Sequence, residues 1–113
     1  MKTDIQNIQL ESEKLQYIKE FLIRTLKPQK IILFGSRAEL KAQAESDIDL
    51  LVILDTPIDR RMKLSISSRL TKEIGISVQL ILMNKEMYEE TKEIIGGIAN
   101  PATKYGVLIY ANP

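Results

Sequence analysis

The 113 residues are one domain's length of chain, 44% apolar and 27% charged with a formal net charge of +1. This is the composition of an ordinary folded soluble protein, with no global basic field for nonspecific nucleic-acid binding, so a nucleic-acid partner is not expected. Histidine and cysteine are absent, which excludes disulfides, thiolate nucleophiles, Ser-His-Asp triads and the usual zinc ligands; any metal must sit on oxygen, which favours magnesium, manganese or calcium.

The opening MKTDIQNIQLESEK is too polar for a signal peptide, and no apolar run approaches the roughly 20 residues of a membrane span, so a cytoplasmic location away from the membrane is the default. Ile8, Leu15, Ile18 and Leu22 recur at helical spacing, and Thr3 with Gln6 fits a capping box. Together they predict a helix from about Thr3 to Lys27 that Pro28 stops. KIILFGS reads as a short apolar strand ending in a glycine turn, AELKAQAE as a short helix or an ordered loop, and IDLLVIL as a second strand. Thr56 and Pro57 are a helix start, followed by an apolar stripe of Ile58, Met62, Ile66, Leu70 and Ile74 that ends at Gly75. ISVQLILM is a third strand, and Asn84 can cap a helix through about Ile95. GGIANP breaks the chain and YGVLIYA is a last strand. The pattern is mixed α/β, a single domain over residues 1–113 with no repeat or internal linker.

Asp47 and Asp49 stand one residue apart at the mouth of the second strand. Alternate side chains of a strand share a face, so both carboxylates project together while Ile48 and Leu50 turn toward the core. At ~5 Å and an effective dielectric of about 20 their repulsion is about 3 kcal/mol. A divalent cation between them turns repulsion into attraction. Gly35 and Ser36, at the turn after the first strand, supply the complement: glycine lets backbone approach a ligand, amides at the start of a following helix favour phosphate, and Ser36 adds a hydroxyl. On adjacent strands the two elements would hold a metal-bound nucleoside triphosphate, its phosphates over Gly35 and Ser36 and its metal on the acids.

Each part also has a plainer reading. A lone Asp-x-Asp is commonly a solvated strand edge, and a lone Gly-Ser is an ordinary turn. Ser46 reads as a local backbone cap, the stripe from Ile58 to Ile74 as core, and Tyr88, Tyr105 and Tyr110 as packing residues rather than base-stacking ones. Arg60, Arg61 and Lys63 read as a solvated helix face, the alternative being a partner or nucleic-acid patch. Haloacid-dehalogenase phosphatases place their Asp-x-Asp after the apolar strand, whereas here the acids precede it. A Walker loop is missing.

GSRAELKAQAESDIDLLV, residues 35–52, resembles the signature of the DNA polymerase β-like nucleotidyltransferase superfamily, a Gly-Ser turn followed by an Asp-x-Asp pair. The short length resembles its minimal branch, the MNT proteins paired with HEPN-domain partners in toxin–antitoxin systems. The resemblance implies a mixed sheet of about four strands flanked by helices, with Gly35, Ser36 and Arg37 at the nucleotide and Asp47 and Asp49 on Mg²⁺ (or Mn²⁺). It further implies transfer of AMP from ATP, or of another nucleotide, to a hydroxyl, such as a tyrosine of a HEPN toxin. The role of Arg37 is left between phosphate contact and local ion pair. Two departures matter. Leu40 stands where many relatives have glycine, so a stiffer or differently bent loop is expected. Gln79 stands where the superfamily carries a third carboxylate, and an amide is a poorer metal ligand and no general base. The alternative is therefore a catalytically impaired, nucleotide-binding antitoxin or regulatory subunit that acts by binding its partner. Homo- or hetero-oligomeric assembly is left open.

Overall fold

The computed structural model describes residues 8–113. In chain order these form α1 (Ser12–Leu26), β1 (Lys30–Phe34), β2 (Ile48–Leu54), α2 (Arg60–Ile74), β3 (Val78–Asn84), α3 (Lys85–Thr91), α4 (Ala99–Tyr105) and β4 (Val107–Ala111). The strands make one sheet in the order β3-β2-β1-β4. Pairing is antiparallel for β1 with β2 and for β1 with β4, and parallel for β2 with β3. The expected mixed four-stranded sheet flanked by helices is what the chain builds. No helix among the described residues is long and apolar enough to cross a membrane.

Strand alternation sends apolar side chains of β2 to both faces. Ile48, Leu50, Val52 and Leu54 join Leu15, Ile18 and Leu22 of α1 and Ile66 and Leu70 of α2 in the larger core. Leu51 and Ile53 join Tyr88 of α3 and Ala99 and Ala102 of α4 in the smaller one. The layers are thus helix, sheet, helix, with α1 and α2 on one face and α3 and α4 on the other. Tyr88 packs as expected, its hydroxyl bonded to Thr103 Oγ1 at 2.8 Å. Tyr110 is half-buried against the larger core, and Tyr105 is exposed.

Several element boundaries differ from expectation, each for a local reason. The Thr3–Gln6 capping box lies outside the described residues. The described helix begins at Ser12, because Gln9 spends its backbone on Arg37 and its side-chain amide on Ala42, which holds residues 8–10 in a bend. At α2 the start moves from Thr56 to Asp59, whose carboxylate accepts from the Arg61 N–H at 2.9 Å and the Met62 N–H at 3.4 Å; an aspartate cap satisfies donors that Pro57 only leaves absent. Ile58 and Met62 consequently lie outside the core, 40% and 43% exposed, and only the lower part of the stripe packs. Asn84 caps α3 as expected, but that helix stops at Thr91. The second half of GGIANP, read as a break, is instead the first turn of the helix α4, Ala99–Tyr105. Pro101 sits in its first turn, where a missing N–H costs nothing.

Candidate functional site

The site is built from two strand ends and one turn. Asp49 pairs in register with Phe34, the last residue of β1, and on its other side with Gln79 of β3. Side chains at paired register positions share a sheet face, so Asp49 and Gln79 are lateral neighbours. Their face is the one that α3 and α4 cover at Ile32, Leu51 and Ile53. Beyond that cover Asp49 is half-buried, and Asp47, just ahead of the strand, and Gln79 are exposed.

Gly35 follows Phe34 with φ at +76°, a left-handed conformation that side chains other than glycine's adopt at a cost. A Cβ on Gly35 would also collide with the Asp49 carboxylate, overlapping Oδ2. The glycine expected to admit a ligand thus first admits an acid: its bare Cα is the floor on which Asp49 rests. Burial pushes the Asp49 carboxyl above its ordinary value, and the Asp47 charge pushes it further the same way.

The turn after Gly35 is not the start of an α-helix. Its carbonyl accepts from the N–H groups of Ala38 and Glu39, each at 3.1 Å, and the Ser36 carbonyl accepts from Lys41 at 2.9 Å. The loop alternative for AELKAQAE is the one observed. Ser36 is half-buried at the head of the turn.

Arg37 turns inward. It is only 6% exposed and directed into its own loop. Nη1 donates to the Gln9 carbonyl at 2.7 Å, Nη2 to Ala44 at 3.1 Å and Ser46 at 2.8 Å, and Nε to Ser46 at 3.0 Å. Among the described residues no carboxylate lies at salt-bridge distance from it, and its four bonds tie residues 36–46 to the stretch ahead of α1. Ser46 caps locally as expected, its hydroxyl accepting from the Gln43 N–H at 2.8 Å. Leu40 takes the left-handed conformation itself, at φ +61°. The loop keeps a glycine-like bend, and the leucine absorbs the strain.

Gln79 donates to Ser77 Oγ at 2.8 Å, which anchors the amide nitrogen and leaves its oxygen as the acceptor. Among the described residues no group of three or more acids is placed to hold a metal. The donor set is two carboxylates and one amide oxygen. Mg²⁺ is commonly bound by one or two carboxylates, with water and substrate phosphates completing its shell, so these residues fit such an ion. The contribution of Gln9, whose amide pairs with Ala42 at both ends (3.2 and 2.7 Å), was not foreseeable from local pattern, because the contact spans the whole of α1 and β1.

The family model for polymerase beta nucleotidyltransferases matches residues 16–99. Among solved structures, a toxin–antitoxin complex with AMP-PNP aligns with a TM-score of 0.68 at 19% identity, over 91% of this chain and 75% of that one. The MntA–HepT toxin–antitoxin aligns at 0.63 and 16% identity, over 90% and 74%. The Shewanella oneidensis MNT antitoxin complex with tri-AMPylated HEPN toxin aligns at 0.53 and 17%, over 86% and 72%. No curated protein matches at a significant level. At these identities the structural likenesses speak for the fold, and it is the sequence match, running from α1 into α4 and spanning both halves of the motif, that makes this chain a member of the polymerase β nucleotidyltransferase family.

Proposed function

We propose that the chain is a Mg²⁺-dependent nucleotidyltransferase that moves AMP from ATP to a hydroxyl, the acceptor being a tyrosine of a HEPN-domain toxin, and so serves as an antitoxin. The observation that carries this reading is the seating of Asp49 on the bare Cα of Gly35, beside Asp47. In this reading Asp47 and Asp49 hold the ion, the turn at Gly35 and Ser36 receives the triphosphate, and Arg37 keeps that turn in shape from behind. Bound Mg²⁺ supplies polarisation of the phosphorus under attack and neutralises charge on the departing pyrophosphate. The toxin–antitoxin complexes above, one with AMP-PNP and one with an AMPylated HEPN toxin, support the choice of nucleotide and partner. Incubation with labelled ATP, Mg²⁺ and a HEPN-domain toxin, tested together with any protein encoded beside this chain, is expected to label the toxin, and Asp49→Asn to abolish the label. No transfer with any nucleotide overturns the reading.

Gln79 favours a second reading, a nucleotide-binding antitoxin with impaired turnover. It occupies the position beside Asp49 where a third acid would ligate metal and take a proton, and an amide does neither well. Gln79→Asp discriminates: a rise in transfer rate shows that the missing ligand limits the natural chain, and an unchanged zero rate with retained partner binding favours the second reading.

A further inference from the structure

On the sheet face opposite Asp49, a groove runs between α1 and α2. Its floor is apolar, formed by Phe21 from α1 and by Met62 and Ile66 from α2. Three guanidinium groups, Arg24, Arg61 and Arg69, line it against one carboxylate, Asp59, and that carboxylate is already engaged as the α2 cap. Arg24 and Arg69 sit over the Phe21 ring at 5.8 and 5.1 Å, which holds their charged ends at the rim of the groove. Arg69 also pairs with Glu73 at 3.1 Å, whereas neither Arg24 nor Arg61 has a carboxylate at salt-bridge distance among the described residues. At its upper end the groove continues past Pro57 to Leu54 and Leu82. Each wall is a helix of 15 residues, about 22 Å long, enough to receive another helix lengthwise.

Resting on the reading that the partner is a HEPN-domain protein, we propose that this groove docks an acidic amphipathic helix of that partner. Converging arginines around a floor with one spent acid call for carboxylates, and exposed Met62 calls for apolar side chains between them. Phe21 and Ile66 are already buried in the core, so the apolar surface on offer is Met62, 43% exposed; a nucleic-acid strand would answer the charge but leave Met62 wet. Docking here leaves Asp47 and Asp49 open on the far face, so partner capture and nucleotide chemistry occupy separate surfaces.

The test is titration calorimetry of the full chain with the HEPN-domain toxin that it labels in the assay above. The Arg61→Glu/Arg69→Glu double variant is expected to bind at least about tenfold more weakly, and Asp49→Asn to bind like wild type. Met62→Gln supplies a second reading that leaves every charge in place, with weakening again expected. Equal binding by wild type and both groove variants overturns the groove while the functional reading stands. No binding by wild type overturns the groove, and no label in the transfer assay overturns both. Should the arginine variant lose affinity for oligouridylate but keep the HEPN protein, the groove is a nucleic-acid surface and the proposal is wrong.

Discussion

Gly35 meets two demands at once, a positive φ and a carboxylate against its Cα. Gly35→Ala is therefore expected to cost about 2 kcal/mol in urea unfolding through strain alone, and also to weaken Mn²⁺ binding by displacing Asp49. Weakened unfolding with unchanged Mn²⁺ affinity would separate the two roles. Asp49 gives a pH prediction. Its folded carboxyl is pushed up by burial and then by Asp47, so the folded chain holds that proton more tightly than the unfolded one. Stability is lost as pH rises from the unfolded value, near 3.9, through the raised folded value, and the deficit persists at neutrality. In EDTA, Asp49→Asn should melt above wild type at pH 7 and converge with it as pH falls below the ordinary carboxylate range; a lower melting point at pH 7 contradicts this. Leu40 in the left-handed region carries roughly 1–2 kcal/mol of strain. Leu40→Gly is expected to raise the urea midpoint by the equivalent of about 1 kcal/mol, the unfolded chain's extra freedom offsetting part of the relief.

Between residue 36 and residue 46 the chain has no regular structure, and one side chain organises it. Four bonds from a buried guanidinium to the carbonyls of Gln9, Ala44 and Ser46 set the loop's shape. Arg37→Ala should cost about 3 kcal/mol, given that bonds from a charged donor are worth more than neutral ones, and should raise amide exchange across the loop. Unchanged exchange there would mean that the turn bonds at Gly35 and Ser36 suffice. The sequence spoke well for the strands and for both ends of the motif, because apolar runs bounded by Gly, Asp and Asn have few other folds. It spoke less well for helix starts. Asp59 and Pro57 are both respectable start signals two residues apart, and only the geometry of the donors shows which one is used. Pro101 reads as a breaker in isolation and is tolerated because the first turn of α4 has no bond for it to remove.

At the level of the molecule, the sheet separates two surfaces. β2 is apolar in every position from Leu50 to Leu54, so its sequence announces burial on both sides but not which helices lie on which. That assignment comes from the connections: the parallel β2–α2–β3 crossover places α2 on one face, and the short α3 and α4 fall on the other. The strand alternation placed Asp49 on the face away from Ile48 and Leu50, whereas the burial of Arg37 depended on residues far away in the chain. If the acids hold metal and nucleotide, binding is linked to folding: Mn²⁺ with ATP should raise the melting temperature of wild type by several degrees, EDTA should reverse it, and Asp49→Asn should show no rise. An equal rise in the variant would place the nucleotide elsewhere.

The fastening of Gln9 to Arg37 and Ala42 reaches beyond the loop itself. An affinity handle fused just ahead of Ile8 would load the fastening that shapes the turn after Gly35. A handle after Pro113 leaves that fastening untouched, and faster amide exchange over residues 36–46 in the first format than in the second would be a direct readout of it.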